Sequence, residues 1–504
     1  MTPSLARADH SPADPPSNVT ATRPAARLDP SVAMAGCLVF ALVLFLPTIL
    51  NDGDTLWQIT AGEWILDHHT VPATDPFSFT AGDRHWYAHE WLAETLMGLA
   101  FRIGGMLGVM VLAAAACGLA AAVLLHHLRR FLSSKYAVEA LILAMCSAAP
   151  SLLARPHLLA WPCLVLWCGG LVTARADRRA PHAALLPVML LWVNLHGSFM
   201  LGLLLPIGFM IEALLDPGIN RRAVFGAWTR FILAAWAVAL LNPDGLGGLL
   251  FPIHLLGMHS LAWIGEWVPT DFAHLQVLEV MILAGLALGF SGKMTVPPIR
   301  LLMLLGLVHA ALSHARNQQL LGIVGTLVLA EPIGASLIAA KLARGHATPL
   351  GPAWRRVSAA AALIAVVALL VRVALPLSPQ RSGAAFAATL DAVPQALRAQ
   401  PVLNEYGLGG ALIFNGVRPF IDGRADLYGD EFLTRYHRIV FLDHAELERA
   451  LSEYQIAWTI FPAGHALIPV MDAMPGWQRL TEVNGSTIHA RNDEPRHASL
   501  GTAH

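Results

Sequence analysis

Apolar runs near 18 residues or longer recur along this chain from residue 31 to residue 376, and a bilayer core takes about 20 such residues per helix. They cover 31–50, 105–126, 136–153, 156–173, 183–195, 199–215, 223–241, 275–290, 299–313, 318–340 and 357–376, which predicts about eleven spanning helices. Two of them, 183–195 and 299–313, fall short of the usual spanning minimum of about 17 residues. Composition agrees: 56% of the 504 residues are hydrophobic and 13% are charged, against roughly a quarter charged in an ordinary soluble domain. One signal peptide does not account for so many runs. The first follows an Arg-containing tail and ends in Pro47 and Asn51 with no small-x-small cleavage site, so it reads as a retained anchor.

Charge placement orients the bundle. Basic residues gather at Arg129, Arg130 and Lys135, at Arg175, Arg178 and Arg179, and at Arg221, Arg222 and Arg230. Later sets are Lys293 with Arg300, then Lys341, Arg344, Arg355 and Arg356. If every run spans, these clusters share one side, which the positive-inside rule makes cytoplasmic. The expectation is a multi-pass protein of the cytoplasmic (inner) membrane with a cytoplasmic N-terminus. Net charge is -1 with no basic stripe, which argues against nucleic acid as a partner. The five cysteines, Cys37, Cys117, Cys146, Cys163 and Cys168, all fall in apolar runs and read as small core residues.

The domain plan follows. Residues 1–30 read as a disordered cytoplasmic tail, 31–376 as the transmembrane domain with an outer loop at 51–104, 377–490 as an extracytoplasmic α/β domain, and 491–504 as a second disordered tail. Within the outer loop, Trp57, Trp64, Trp86, Tyr87 and Trp91 suit a membrane interface, and TLWQITAGEWILDHH has the spacing of a surface helix. In the soluble domain the pattern predicts strands at 401–404, 411–414, 418–422, 456–461 and 486–490, a GLGG turn at 407–410 and a helix at 444–454.

Polar residues are lopsided. The outer side collects NDGD at 51–54, HEW at 89–91, ARPH at 154–157, NLHGS at 194–198, NPDG at 242–245, EW at 266–267 and HARN at 314–317. Acid, base and anion-binding groups from several loops can therefore converge on one face. Asp52 and Asp54 read either as the water boundary of a helix or as functional acids, and as a DxD they would suit a divalent metal such as Mg or Mn. His89 and Glu90 form a candidate acid/base pair or an interfacial helix start. Arg155 and Arg316, between apolar runs, must snorkel, pair or bind an anion such as a phosphate. His157, His196 and Glu266 complete the candidate set, with a satisfied buried histidine the competing account of His196. No GxSxG, HExxH or Walker pattern occurs, so serine hydrolase, zincin and ATPase classes drop out.

These stretches resemble a family. DTLWQITAGEWILDHHTVPATDPFSFT from Asp54, then HEWLAE, ARPH, NLHG, NPDG and RN, are similar to the large, mostly bacterial GT-C-like membrane proteins. These are related to protein O-mannosyltransferases and lipopolysaccharide-modifying aminoarabinose transferases. VLNEYGLGGALIFNGVRPFIDGRADLYGDEF resembles the soluble domain that many of them carry, and the likeness covers most of residues 31–490. It implies a GT-C-like helical fold and transfer of a sugar from a polyprenyl-phosphate donor to an envelope glycan, lipid or protein acceptor outside the membrane. The loop acid expected as base or metal-associated residue falls on Asp54, with Asp52 as the alternative and Glu90 as a second acid. Where relatives often show a tryptophan pair and His, this chain has Leu56-Trp57-Gln58. The competing expectation is a non-enzymatic scaffold or transporter of envelope lipids or glycans with a degenerate GT-C fold.

Overall fold

The computed structural model describes residues 29–292, 294–339, 354–378 and 384–492. Most of the two expected tails, and the basic residues Lys293, Lys341 and Arg344, lie outside them. Each predicted apolar run coincides with helix. In chain order these are α1 (Pro30–Leu44), then α2 (Gly53–His68) in the outer loop, α3 (Trp91–Leu128), α4 (Ser134–Ala148), α5 (Pro156–Ala176), α6 (Leu186–Leu195), α7 (Phe199–Leu214) and α8 (Arg221–Ala239). The chain continues through α9 (Leu246–Leu256), α10 (Val277–Phe290) and α11 (Pro298–Ser313), then the helical segments Ala315–Ile338 and Trp354–Ala374. Among the described residues, four helices are long and apolar enough to cross a membrane: α3, α5, Ala315–Ile338 and Arg355–Ala374. Six shorter apolar helices accompany them.

Small residues set the closest helix approaches, as expected where lipid offers no hydrophobic drive between helices. At the α1–α3 crossing a Cβ on Gly36 would stand 2.9 Å from the Gly118 carbonyl oxygen, and one on Gly118 2.7 Å from that of Gly36. α3 is kinked at Gly104 and Gly105, the latter with φ 58°, a conformation open to glycine and costly for other residues. The short run at 183–195 is not fused to the next: His196 leaves helical geometry with φ -169° and ψ 142°. Two helices therefore form where Asn194, His196 and Ser198 break the apolar pattern. α9 occupies part of a stretch expected to be loop.

The soluble domain is built on a four-stranded sheet, β1 (Val402–Asn404), β2 (Trp458–Pro462), β3 (Trp477–Val483) and β4 (Ser486–Arg491), in the order β1-β2-β4-β3. β1 and β2 are parallel, and the other pairs are antiparallel. β3 escaped the sequence reading, although Asn484-Gly485 marks its hairpin: both residues have positive φ, 49° and 74°, as a tight two-residue turn requires. Residues 411–414, expected as a strand, form the helix Gly409–Phe414, and 418–422 form no strand. A short apolar run such as ALIF carries no period long enough to separate helix from strand. Here tertiary packing decides, because the Gly410 backbone lies so close to Gly53 of α2 that a Cβ would overlap its carbonyl oxygen.

One face of α2 packs against protein. Thr55, Trp57, Gln58, Ile59, Ala61, Gly62 and Ile65 are buried, between α3 and the soluble domain. Trp57, Phe77 and Trp86 of the outer loop share one hydrophobic core with Phe420, Tyr428 and Phe432. The interfacial reading of Trp57 and Trp86 is thus corrected: their rings serve a protein core, whose burial of apolar area favours folding more than an interface position would.

Candidate active site

The loops expected on one face meet at one end of α5. Ala154 N–H donates to the Ile49 carbonyl at 2.7 Å, and Thr55 Oγ1 donates to the Ala154 carbonyl at 3.1 Å. This places Arg155, immediately before α5, against the start of α2. At the opposite end of α5, Asp177 pairs with Arg130 from the end of α3. A cavity of about 920 Å³ opens at the Arg155 end, and all nine candidate residues, Asp52, Asp54, His89, Glu90, Arg155, His157, His196, Glu266 and Arg316, line it.

Asp52 caps α2, accepting the Asp54 N–H at 3.0 Å, which is the ordinary work of Asp at a helix start. Its carboxylate also takes two bonds from the Arg155 fork, at Nε and, at 2.8 Å, from Nη2. Asp54 Oδ2 lies 2.8 Å from Arg155 Nη2 and Oδ1 accepts from Trp57 Nε1 at 3.1 Å. Burial drives the Asp54 carboxyl up to about 6, while the Arg155 guanidinium pulls the other way. On the far side, Glu266 bridges two arginines: Oε2 accepts from Arg155 Nη1 at 2.8 Å and Oε1 from Arg316 Nη1 at 3.0 Å. The Arg316 guanidinium lies 4.4 Å from the Trp267 ring centroid, a cation–π contact.

A histidine cluster forms the second wall. Glu90 Oε1 is 3.6 Å from Nε2 of both His89 and His196. Burial opposes charge on Glu90, yet His89 overcomes it and holds the carboxyl near 2. Burial likewise opposes charge on His89, and Glu90, with a smaller push from Asp426, carries it up to about 9. Burial holds His196 down, to about 3, so a charged and a neutral imidazole face the same carboxylate. His196 Nδ1 accepts the Ser198 N–H at 3.1 Å, and His157 Nε2 donates to the Ser151 carbonyl at 2.7 Å.

The soluble domain supplies the remaining wall through Tyr406, Gly407, Gly423, Arg424 and Asp426, none of which the sequence reading singled out. Arg424, 2% exposed, forks onto Asp422 at 2.8 and 2.7 Å and reaches Asp75 of the outer loop at 2.6 Å. The Trp86, Phe77 and Trp57 ring centroids stand 4.9, 5.4 and 5.7 Å from it. Gly423 sits so close to Asp54 that a Cβ would overlap Oδ1. The available signal was the density of charge and glycine in IDGRADLYGDEF, inside the run quoted for the resemblance.

The aspartate pair expected to suit a divalent cation holds a guanidinium in this structure. Among the described residues no group of three His, Cys, Asp or Glu side chains forms a ligand set. Asp52 and Asp54 both close on Arg155, so a guanidinium already provides the positive charge that a metal at this DxD would bring.

No family model and no curated protein matches the chain by sequence. Solved structures do. The chain is similar to the crystal structure of ArnT from Cupriavidus metallidurans bound to undecaprenyl phosphate, at TM-score 0.50 and 12% identity, over 94% of this chain and 99% of that one. It is also similar to the same protein in the apo state, at TM-score 0.45 and 12% identity over 91% and 97% of the two chains. An Archaeoglobus fulgidus oligosaccharyltransferase, in complex with Zn and sulfate, aligns at TM-score 0.46 and 13% identity over 86% of this chain and 68% of its own. At such identities the likeness is one of architecture: this chain is an α-helical membrane protein with the GT-C fold and a small C-terminal α/β domain.

Proposed function

We propose that this chain is a membrane glycosyltransferase that moves a sugar from a polyprenyl-phosphate donor to an acceptor outside the cytoplasmic membrane. The observation that carries the reading is Asp54, a carboxyl poised near 6 within 2.8 Å of an arginine that faces the same cavity as Arg316. A base is most effective when its pKa lies near the working pH, and arginine forks suit phosphate oxygens. Asp54 takes the proton of the acceptor hydroxyl as its oxygen bonds to the anomeric carbon. The bond from that carbon to the phosphate oxygen breaks, and Arg155 and Arg316 stabilise the charge left on the phosphate. Glu90, ionised and engaged by two histidines, suits positioning better than proton abstraction. Leu153, Leu255, Leu261, Leu275 and Val277 add apolar lining to the cavity, which suits the first prenyl units. The fold shared with ArnT, whose structure holds undecaprenyl phosphate, supports this donor class.

The test is transfer of label from a polyprenyl-phosphate sugar into envelope material by membranes containing the protein. Transfer that depends on Asp54 is the expected result. Membranes whose transfer is no greater than that of membranes lacking the protein would return the chain to the scaffold or transporter reading.

A further inference from the structure

The Arg155 and Arg316 guanidiniums are held by one carboxylate. Glu266 gives one oxygen to each, at 2.8 and 3.0 Å. A carboxylate and a phosphate present their oxygens to guanidinium donors with nearly the same bite. Resting on the reading of this cavity as a lipid-phosphate site, we propose that Glu266 occupies the seat of the donor phosphate and is displaced when the lipid binds.

Its surroundings suit a side chain that swings while its backbone stays. The Arg316 N–H donates to the Glu266 carbonyl at 3.2 Å, and the Ala315 N–H donates to the Val268 carbonyl at 3.0 Å. His314 Nδ1 donates to the Trp267 carbonyl at 2.7 Å. Residues 266–268 are therefore fixed alongside 314–316, and Trp267 keeps its ring on Arg316 whether or not Glu266 is engaged. The Glu266 side chain is 34% exposed, so water is open to it once it lets go. Arg155 retains Asp52 and Asp54, which hold its fork in place as the third partner changes. The placeholder bridges Arg155 and Arg316 before the lipid arrives, and it disfavours ligands too weakly charged to replace a carboxylate. Its consequence is quantitative: a site whose competent arrangement is a minor fraction binds more weakly by that fraction.

The experiment measures binding of undecaprenyl phosphate to the purified full-length protein and to Glu266→Gln. Removing the competing charge should tighten binding by about tenfold, the factor expected if the open arrangement is ~10% populated in the unaltered protein. Asp271→Asn removes one charge from the same cavity but from a carboxylate that caps Ala273 instead, and it should leave affinity within about twofold. A second measurement needs no variant: carbodiimide labelling of Glu266, followed by mass spectrometry, should accelerate when undecaprenyl phosphate is added. Equal or weaker binding by Glu266→Gln, equal tightening by Asp271→Asn, or labelling slowed by lipid would each overturn the placeholder while leaving the donor class intact. If unaltered protein and Glu266→Gln both fail to bind the lipid phosphate, the donor class falls and the placeholder with it.

Discussion

Arg424 of the soluble domain and Asp75 of the first outer loop meet at 2.6 Å across 349 positions of sequence. Both side chains are fully buried, and Asp75 is further held by the backbone N–H groups of Phe77 and Ser78, each at 2.9 Å. The pair fastens the soluble domain over the cavity, which makes the two ends of the chain one site.

Removing Arg424 leaves the buried Asp75 and Asp422 carboxylates without their cation, whereas removing the Asp75 charge leaves Arg424 its fork on Asp422. Arg424→Met should destabilise the docked arrangement by about 3–5 kcal/mol, the usual consequence of breaking a buried ion pair, and Asp75→Asn should destabilise it by less. Faster proteolysis between residues 377 and 400 and a lower melting temperature would report it. Undiminished protease resistance in both variants would show that the hydrophobic core alone holds the domain.

Asp54→Asn keeps shape and hydrogen bonding but loses the base. Transfer should fall by about two to four orders of magnitude with undecaprenyl phosphate binding retained. In the unaltered protein, kcat/KM should rise with pH through about 6, because the carboxyl must be ionised to accept a proton. An Asp54→Asn enzyme that transfers at the unaltered rate would move the base to Asp52 or Glu90.

In the proposed mechanism Arg155 serves both the phosphate and the base. Arg155→Gln should weaken lipid-phosphate binding and, by removing the cation that pulls Asp54 down, move the acid limb to higher pH. Arg155→Lys restores the charge without the fork, so the limb should return while binding recovers only in part. An unmoved limb in Arg155→Gln would mean that the two side chains do not interact during catalysis.

Gly423→Ala tests the contact between the domains without altering charge. The added methyl group must push against Asp54 Oδ1, and a misplacement of about 1 Å near the reacting atoms can cost about a hundredfold in rate. Loss of transfer with normal folding and expression is the expected outcome; wild-type rates would mean that the Asp54 carboxylate is free to move aside.

The one-sided clusters at Arg129–Arg130, Arg175–Arg179 and Arg221–Arg222 predict a cytoplasmic N-terminus and an extracytoplasmic cavity. A reporter fused at residue 400 should be active only outside the cytoplasmic membrane. Activity confined to the cytoplasm would place an odd number of the short helices off the membrane.

The sequence by itself determined the helical bundle and the residues able to gather at one face. Lipid tests each segment separately, so a run such as 156–173 declares its helix through local composition alone, and Asp54, Arg155 and Arg316 stand out because charge beside apolar runs needs a reason. Tertiary structure decided the rest. Whether ALIF at 411–414 is helix or strand depended on Gly410 meeting Gly53, and whether Trp57 and Trp86 face lipid or core depended on Arg424 reaching them. Asp75 and Arg424 each look like ordinary surface charges in their own neighbourhoods. Their burial follows from a contact between distant segments, and the energy of such a contact is a property of the pair that neither local sequence contains.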